Sequence, residues 1–343
     1  MTKTNSNRKE KDRHVRSVAK ILPVFLCTLI FQLSASNHNH AYAISRGGCF
    51  GAAAAEYFVP GLGYAITRQW DKAIVFGGMR LYTGYKASEA FNSEYYQDDP
   101  DDIYETVDAD ESESGKDEIR VTLNKETWDA HYFSNLYGNL LFVTWGDLYQ
   151  HSCQENTETY SLLFSPFRFD HFYNKWQFWL PILVLAGNYQ SYDDNTMVEY
   201  YLKRGLTKDK INRDTFPQYY MVGVGEEMFF RGVVQHYFFE SLRDFWKFSP
   251  SASRHLSILG ASAVFAAAHT GTGFTASPAT AFLFGLYEGY VYHPSLEEFD
   301  LITAIAIHSW WDLIVSYTIL NHATYKEFHS DVQVPLFRIG FNF

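Results

Sequence analysis

Residues 223–232 read GVGEEMFFRG and lie between two apolar flanks. On a helix, Glu227 and Arg231 are four residues apart on one face, where they form a natural ion pair. Glu226 lies about 100° further round and cannot share that partner equally. Because two adjacent carboxylates are costly to ionise together in an apolar setting, we expect the pKa of Glu226 to be raised towards that of a general base. The alternative is a charged pair that only holds two helices together.

Two later apolar segments also carry ionisable residues. The first, FAAAH at 265–269, ends in His269, and the second, IAIHSWWD at 305–312, places His308 and Asp312 one helical turn apart. Taken alone, His269 could be a satisfied core residue, and His308 and Asp312 could form a local hydrogen bond. Because buried charges are costly, three apolar segments that each contribute ionisable groups favour one polar site inside a helical bundle.

These residues would suit either of two mechanisms. Glu226, His269 and His308 could bind a divalent cation such as zinc, which activates water. Alternatively, Glu226 and His269 could activate water directly, while His308 and Asp312 stabilise the oxyanion. The sequence contains no HExxH, Gly-x-Ser-x-Gly or Gly-x-Gly-Asp motif that would indicate another protease class.

The order of these motifs resembles the type II CAAX prenyl endopeptidase family, also called CPBP or ABI. Intervals of 43 and 39 residues separate Glu226, His269 and His308. The motifs that carry the resemblance are Glu226-Glu227-x-x-x-Arg231, Phe265-x-x-x-His269, His308-x-x-x-Asp312, the Phe-Arg-Gly of residues 230–232, and the FLFG of residues 282–285 followed by Gly289. The resemblance covers roughly residues 170–322.

The resemblance implies a role for each site residue. Glu226 would be the base that activates water, and Glu227 would orient Arg231. His269 would be the second water-activating group, and His308 with Asp312 would form the oxyanion site. Whether a metal takes part stays open, and its possible ligands are Glu226, His269 and His308.

The resemblance also implies an all-α fold, a polytopic transmembrane helical bundle with a polar catalytic cavity. We expect a multi-pass protein of a bacterial inner membrane that cleaves a peptide or a small membrane protein within or beside the lipid bilayer. A different class of function is a non-catalytic membrane scaffold or immunity-type binding protein that retains the fold. A transporter with a buried charged pathway is a third reading, although no paired inverted halves are visible.

The rest of the chain divides by composition. Residues 1–43 have a basic head, an apolar run at 21–33 and an Ala-Tyr-Ala cleavage site, which indicate a signal peptide or an N-terminal anchor. The remaining predicted segments are a small-residue membrane hairpin at 44–95, an acidic loop or linker at 96–130, an accessory membrane segment at 131–169, the protease core at 170–322 and a C-terminal tail at 323–343.

The acidic loop holds much of the net charge of −11, because residues 98–118 contain eleven acids and one lysine. It lacks the ordered spacing of a calcium loop. No basic face remains for a phosphate backbone, so we expect no nucleic-acid partner. An aromatic content of 18% excludes a disordered chain. The three cysteines form no metal motif, and Cys49 and Cys153 could pair only if both face an oxidising compartment.

Overall fold

The computed structural model of the protein describes residues 46–97, 99–112, 114–153, 159–188, 196–269, 277–329 and 332–333. It is mostly helical, with 73% helix. The α-helices are α1 (Arg46–Phe58), α2 (Leu62–Ile66), α3 (Trp70–Phe91), α4 (Pro100–Ile103), α5 (Lys125–Cys153), α6 (Thr159–Leu163), α7 (Phe169–Phe172), α8 (Trp176–Asn188), α9 (Lys208–Phe229), α10 (His236–Glu240), α11 (Pro250–Ala268), α12 (Pro278–Tyr292) and α13 (Leu301–His322). Short segments at Phe230–Gln235 and Ser241–Phe245 are π-helical, and Ser165–Phe167 forms a 3-10 turn.

A five-stranded sheet accompanies the helices. Its strands are β1 (Tyr104–Val107), β2 (Asp117–Asn124), β3 (Thr196–Lys203), β4 (Thr324–His329) and β5 (Val332–Gln333), in the spatial order of the sequence. The two inner pairings, β2 with β3 and β3 with β4, are parallel, and the two outer pairings are antiparallel. The prediction of an all-α fold is therefore confirmed in part: the described residues are mostly helical, but they also form a small sheet.

Strands β1 and β2 lie in the predicted acidic loop or linker, β3 lies in the predicted protease core, and β4 and β5 lie in the predicted C-terminal tail. Strand β2 follows the acidic stretch and buries Val121 and Leu123, two residues apart on one face. Period-2 burial of this kind is what holds a strand against a core. The core beneath it also contains Ile211 of α9 and Leu320 of α13. The sheet therefore packs against the two helices that carry the predicted site.

Helices α9 and α13 lie side by side along their length. A Cβ atom added to Gly223 of α9 would meet the backbone nitrogen of Ser309 of α13 at 2.4 Å. The two helices thus approach to a distance that only glycine permits. Helix α9 is capped by Thr207, which accepts from the Lys210 amide, and α13 is capped by Asp300.

The parallel pair β3–β4 joins the ends of the same two helices. Strand β3 leads into α9, and β4 follows α13 after one residue. The pairing runs from Glu199 opposite Thr324 to Leu202 opposite Glu327. In addition, the Lys208 amide at the start of α9 donates to the Glu327 carboxylate at 2.9 Å. The sheet therefore fixes one end of α9 relative to one end of α13.

Helices α11 and α12 pack against each other, and both begin with the same kind of N-terminal cap. Both begin with a Ser-Pro step, in which the hydroxyl of Ser249 or Ser277 accepts from the backbone amide three residues on. Small residues of α12 allow close packing on α11: a Cβ added to Gly289 would lie 2.8 Å from the Ile258 side chain. This pair brings His269 towards α9 and α13.

The segment predicted as a small-residue membrane hairpin contains three helices, α1 to α3. Gly61 has a φ of 86°, a left-handed conformation that glycine adopts without strain. The carboxylate of Glu56 accepts from the amides of Gly61 and Gly63 at 2.9 and 3.0 Å, and pairs with Arg80 at 2.9 Å. Both charged side chains are fully buried. A buried ion pair thus fixes this turn.

The sequence analysis expected membrane-spanning helices in several of these segments. Within the residues that the structure describes, no helix is both long enough and apolar enough to cross a membrane. The predicted signal or anchor at 1–43 lies outside the described residues. The remaining segment boundaries at 131, 170 and 322 stay predictions.

Candidate active site

A buried chain of polar contacts links α9 to α13. The Nε atom of Arg231 donates to Oε2 of Glu227 at 3.0 Å, and Oε1 of Glu227 lies 2.8 Å from Nδ1 of His308. Glu227 and Arg231 are fully buried, and His308 is almost so. The predicted ion pair of Glu227 and Arg231 is therefore present, and a histidine 81 residues away shares its carboxylate.

These charges set one another's protonation. Burial alone would raise the pKa of Glu227, but Arg231 and the hydrogen bond to His308 hold it below its usual value. Burial alone would lower the pKa of His308, but Asp312 and the two glutamates raise it above its usual value. His308 is thus an imidazolium at neutral pH, with both ring nitrogens acting as donors.

Glu226 faces a different direction from its neighbour. Its Oε2 lies 3.7 Å from Nε2 of His269 and 4.0 Å from Nε2 of His308, and this oxygen has no hydrogen-bond partner among the described residues. Burial raises the pKa of Glu226 to about 7, with smaller contributions from Asp312 and Glu227. A carboxylate with that pKa is suited to general-base chemistry near neutral pH.

His269 presents one nitrogen to this carboxylate. It stands at the C-terminal end of α11, where its Nδ1 donates to the carbonyl oxygen of Phe265 at 2.8 Å. That bond leaves the lone pair on Nε2, which faces Glu226. Burial lowers the pKa of His269, so the ring is neutral at neutral pH. One ring nitrogen of His269 is therefore satisfied by a backbone carbonyl, as a core histidine would be, and the other can act as an acceptor.

Asp312 lies one turn beyond His308 on α13. Its Oδ2 is 3.5 Å from Nε2 of His308, which is longer than an ordinary N–H···O hydrogen bond. Burial raises the pKa of Asp312 to about 6, and His308 opposes that rise. The pair is thus electrostatic, and the Nε2 proton of His308 remains available to a third group.

Aromatic rings enclose the histidines. The rings of Phe265 and Phe284 meet His308 edge-on, with centroids 5.9 and 5.3 Å away. Rings at these distances exclude water from one side of the imidazole and so strengthen the charge interactions there.

The side chains proposed as metal ligands do not fit a three-ligand site in this arrangement. A tetrahedral zinc ion with bonds of about 2.0–2.1 Å holds its ligand atoms roughly 3.3 Å apart. The atoms of Glu226, His269 and His308 that face one another are 3.7 and 4.0 Å apart. No three His, Cys, Asp or Glu side chains are suitably placed anywhere in the described residues. The metal hypothesis stays a prediction, and no step below depends on it.

Two features of this region were missed by the sequence analysis. The first is the contact of Glu227 with His308, which needs the packing of α9 on α13. The second is Glu288, a fully buried carboxyl of α12 that interacts electrostatically with Glu227, His308 and Arg231. Glu288 is the single acidic or basic residue between 278 and 292. A lone charge in an apolar helix is a signal that would have found it.

Comparison with known proteins supports one family. No curated protein and no solved structure matches the chain. A family model does match residues 215–314, a stretch that begins within α9, ends within α13 and contains all six predicted site residues. The family resemblance inferred from the motifs is confirmed over this stretch, because residues 215–314 match the Rce1-like family of type II CAAX prenyl endopeptidases.

Proposed function

We propose that the protein is an endopeptidase that hydrolyses a peptide bond with water activated by Glu226 and His269, without a covalent intermediate. The observation that carries this proposal is the pairing of two acceptors: the unpartnered Oε2 of Glu226 and the free Nε2 of His269 face each other at 3.7 Å. A water molecule has two protons to donate, and two convergent acceptors orient it for attack.

The proton steps then follow from the side chains. Glu226 removes a proton from the water as its oxygen attacks the carbonyl carbon of the scissile bond. The resulting oxyanion accepts a hydrogen bond from the Nε2 proton of His308, which carries positive charge. The protonated Glu226 then gives its proton to the departing amine, so that the C–N bond breaks and the base is restored.

Glu227, Arg231 and Asp312 act through His308. The contact of Glu227 with Nδ1 fixes the plane of the imidazole, and Arg231 fixes Glu227. A carboxylate next to an oxyanion would repel it, so we assign Asp312 to stabilising the imidazolium. This differs in detail from the oxyanion role that the family resemblance implies for Asp312.

We propose a peptide or a small membrane protein as the substrate, presented at a lipid surface. Support comes from α8, which exposes large apolar side chains to its surroundings: Trp176 and Leu183 are 66% and 64% exposed, and Trp179, Leu180 and Val184 are also exposed. Exposed apolar surface of this extent marks an interaction site. We propose a bacterial inner membrane as the location.

Activity is tested with purified protein, a library of fluorogenic peptides that includes peptides with a prenylated C-terminal cysteine motif, and water enriched in oxygen-18. The proposal expects one heavy oxygen in each new carboxylate and no trapped acyl-enzyme. Glu226→Gln and His269→Ala should abolish cleavage, and the exposed Glu297→Gln is the matched control. Cleavage that survives in both site variants would refute the mechanism. No cleavage by any form would favour the binding-protein alternative.

Lipid association is tested by flotation with phospholipid vesicles. The protein should rise with the vesicles, and a double substitution of exposed residues, Leu180→Ser with Leu183→Asp, should weaken that association. The matched control is a double substitution of exposed polar residues, Glu297→Gln with Glu298→Gln. Equal flotation of the two variants would argue against α8 as the contact surface.

A further inference from the structure

Glu288 is a buried carboxyl group without a partner. Its side chain is fully buried on α12, and neither carboxyl oxygen has a hydrogen bond to any described residue. Burying such a group without compensation costs several kcal/mol. A carboxyl in this position therefore requires an explanation.

Two neighbouring side chains also have buried polar atoms without hydrogen-bond partners among the described residues. Arg231 has unused donors, and Gln235 has an unused acceptor. Arg231 uses its Nε on Glu227, but its Nη1 and Nη2 atoms are buried without partners. Gln235 donates through Nε2 to the carbonyl of Gly289 at 3.0 Å, while its Oε1 is buried without a partner. Both side chains come from the π-helical segment Phe230–Gln235, four residues apart.

Gln235 lies beside the residue that follows Glu288, and Arg231 lies within electrostatic range of the Glu288 carboxyl group. A Cβ on Gly289, the residue after Glu288, would lie 3.1 Å from Oε1 of Gln235, so this oxygen faces the turn that carries Glu288. Arg231 and Glu288 interact electrostatically. The guanidinium offers donors, the amide oxygen of Gln235 needs a donor, and the carboxyl group of Glu288 can supply an acceptor to the first and a donor to the second.

Full burial without a hydrogen-bond partner among the described residues favours the neutral form of Glu288. An ionised carboxylate is purely an acceptor, whereas a carboxylic acid can accept from Arg231 and also donate its proton towards Gln235. The charges that face Glu288 are Glu227 and Asp312, which disfavour ionisation, and His308 and Arg231, which favour it. Burial adds the largest contribution and raises the pKa of Glu288 well above its usual value.

We propose that Glu288 is a positioning residue which, as a neutral acid, accepts from Arg231 and donates to Gln235 through internal water. It thereby keeps the guanidinium turned so that Nε meets Glu227. An ionised Glu288 would instead compete with Glu227 for the same guanidinium. Ordered water commonly completes buried polar groups that do not touch. The kinetic part of this inference rests on the proposed function, because it concerns the contact of Glu227 with His308.

The protonation state is tested without any activity measurement. Infrared difference spectra of the wild type minus Glu288→Gln at neutral pH should show the carbonyl stretch of a protonated carboxylic acid. The matched control is Glu56→Gln, which removes a buried carboxylate that is paired with Arg80. A difference spectrum with only carboxylate bands would overturn the proposal.

The link to Gln235 is tested by a double-mutant cycle in chemical unfolding. Glu288→Leu, Gln235→Leu and the double variant should be non-additive, with a coupling of roughly 2- to 100-fold in the unfolding equilibrium constant. Additive effects would overturn the proposed link. If Glu288→Leu does not fold, Glu288→Gln replaces it in the cycle, with a smaller coupling expected because the amide retains a donor and an acceptor.

Kinetics then test the effect on the reaction. Glu288→Gln should retain kcat within about threefold, while Glu288→Leu should lower kcat by roughly 10- to 100-fold at an unchanged KM. If Glu288→Leu acted only through a general loss of stability, kcat would not fall at an unchanged KM. Glu288→Gln would then not retain the activity either. Equal loss in both variants would refute the neutral-acid role. An inactive wild type with a positive infrared result would refute the proposed function and leave the assignment of Glu288 intact.

Discussion

Nδ1 of His308 lies 2.8 Å from Oε1 of Glu227, although the two residues are 81 positions apart in the chain. This contact separates two glutamates that are neighbours in the sequence. Glu227 is held between a guanidinium and an imidazole, whereas Oε2 of Glu226 has no hydrogen-bond partner among the described residues. Adjacent carboxylates are thus expected to differ in both pKa and function.

Substitution of Glu226 by Gln should remove activity and preserve the fold. The amide cannot take a proton from water, and loss of a general base lowers the rate by roughly 10²- to 10⁴-fold. The measurement is kcat/KM on a cleaved peptide, together with the thermal unfolding midpoint. Activity within tenfold of the wild type would assign the base elsewhere.

Substitution of Glu227 by Gln should instead unfold the protein more easily. It leaves the buried charge of Arg231 without its counter-charge, and breaking a buried pair in this way costs about 3–5 kcal/mol. Urea denaturation measures the change in unfolding free energy. The same substitution at Glu226 is the internal control, and equal destabilisation by both would contradict the assignment.

The activity should rise with pH through the pKa of Glu226, which is about 7 because of burial. The base must be ionised to act, so kcat/KM should fall tenfold per pH unit below that value. The contribution of Glu226 to the unfolding free energy changes with pH in the opposite direction. The folded protein holds this proton more tightly than the unfolded chain, so the contribution of Glu226 to the unfolding free energy falls between pH 4.5 and about 7. A rate that rises instead near pH 4 to 5 would contradict the buried base.

Replacement of Gly223 by Ala should push α9 away from α13. The added carbon would meet the backbone of Ser309 at 2.4 Å, and such overpacking costs about 1–3 kcal/mol. Because Ser309 follows His308, activity should fall as well. Gly78 on α3 is the matched control: nothing lies within 4 Å of its added carbon, and Gly78→Ala should stabilise by about 0.5–1 kcal/mol. Equal effects at the two positions would argue against close helix contact.

Much of the site could be predicted from local sequence. The i, i+4 spacing of Glu227 and Arg231 is a helical property, and their pair is present. The apolar segment around His308 became α13, and the raised pKa of Glu226 follows from apolar flanks and a charged neighbour. Each of these predictions depends on a few consecutive residues, and helical geometry determines which of their side chains can contact each other.

The remainder depends on contacts distant in the chain. Strand β2 follows an acidic run whose charge suggested a loop, and its partner β3 lies 79 residues further on. Glu227 meets His308, and Glu288 approaches Arg231, only after three helices have packed. No fixed spacing in a single sequence indicates which distant segments will contact each other. The sheet and these contacts could therefore not be predicted from it.

The parallel pairing of β3 with β4 ties some of the predicted site residues, but not all of them, to the sheet. Glu226, Glu227, His308 and Asp312 stand on two helices whose ends are tied to one sheet. His269 stands on α11, which has no strand at either end in the part of the chain that the structure describes. A displacement of α11 would change the 3.7 Å separation of Glu226 and His269, while the pairing of β3 with β4 would still tie α9 to α13. Under the proposed mechanism, such a displacement would stop the activation of water reversibly, because Glu226 and His269 would no longer hold the same water molecule.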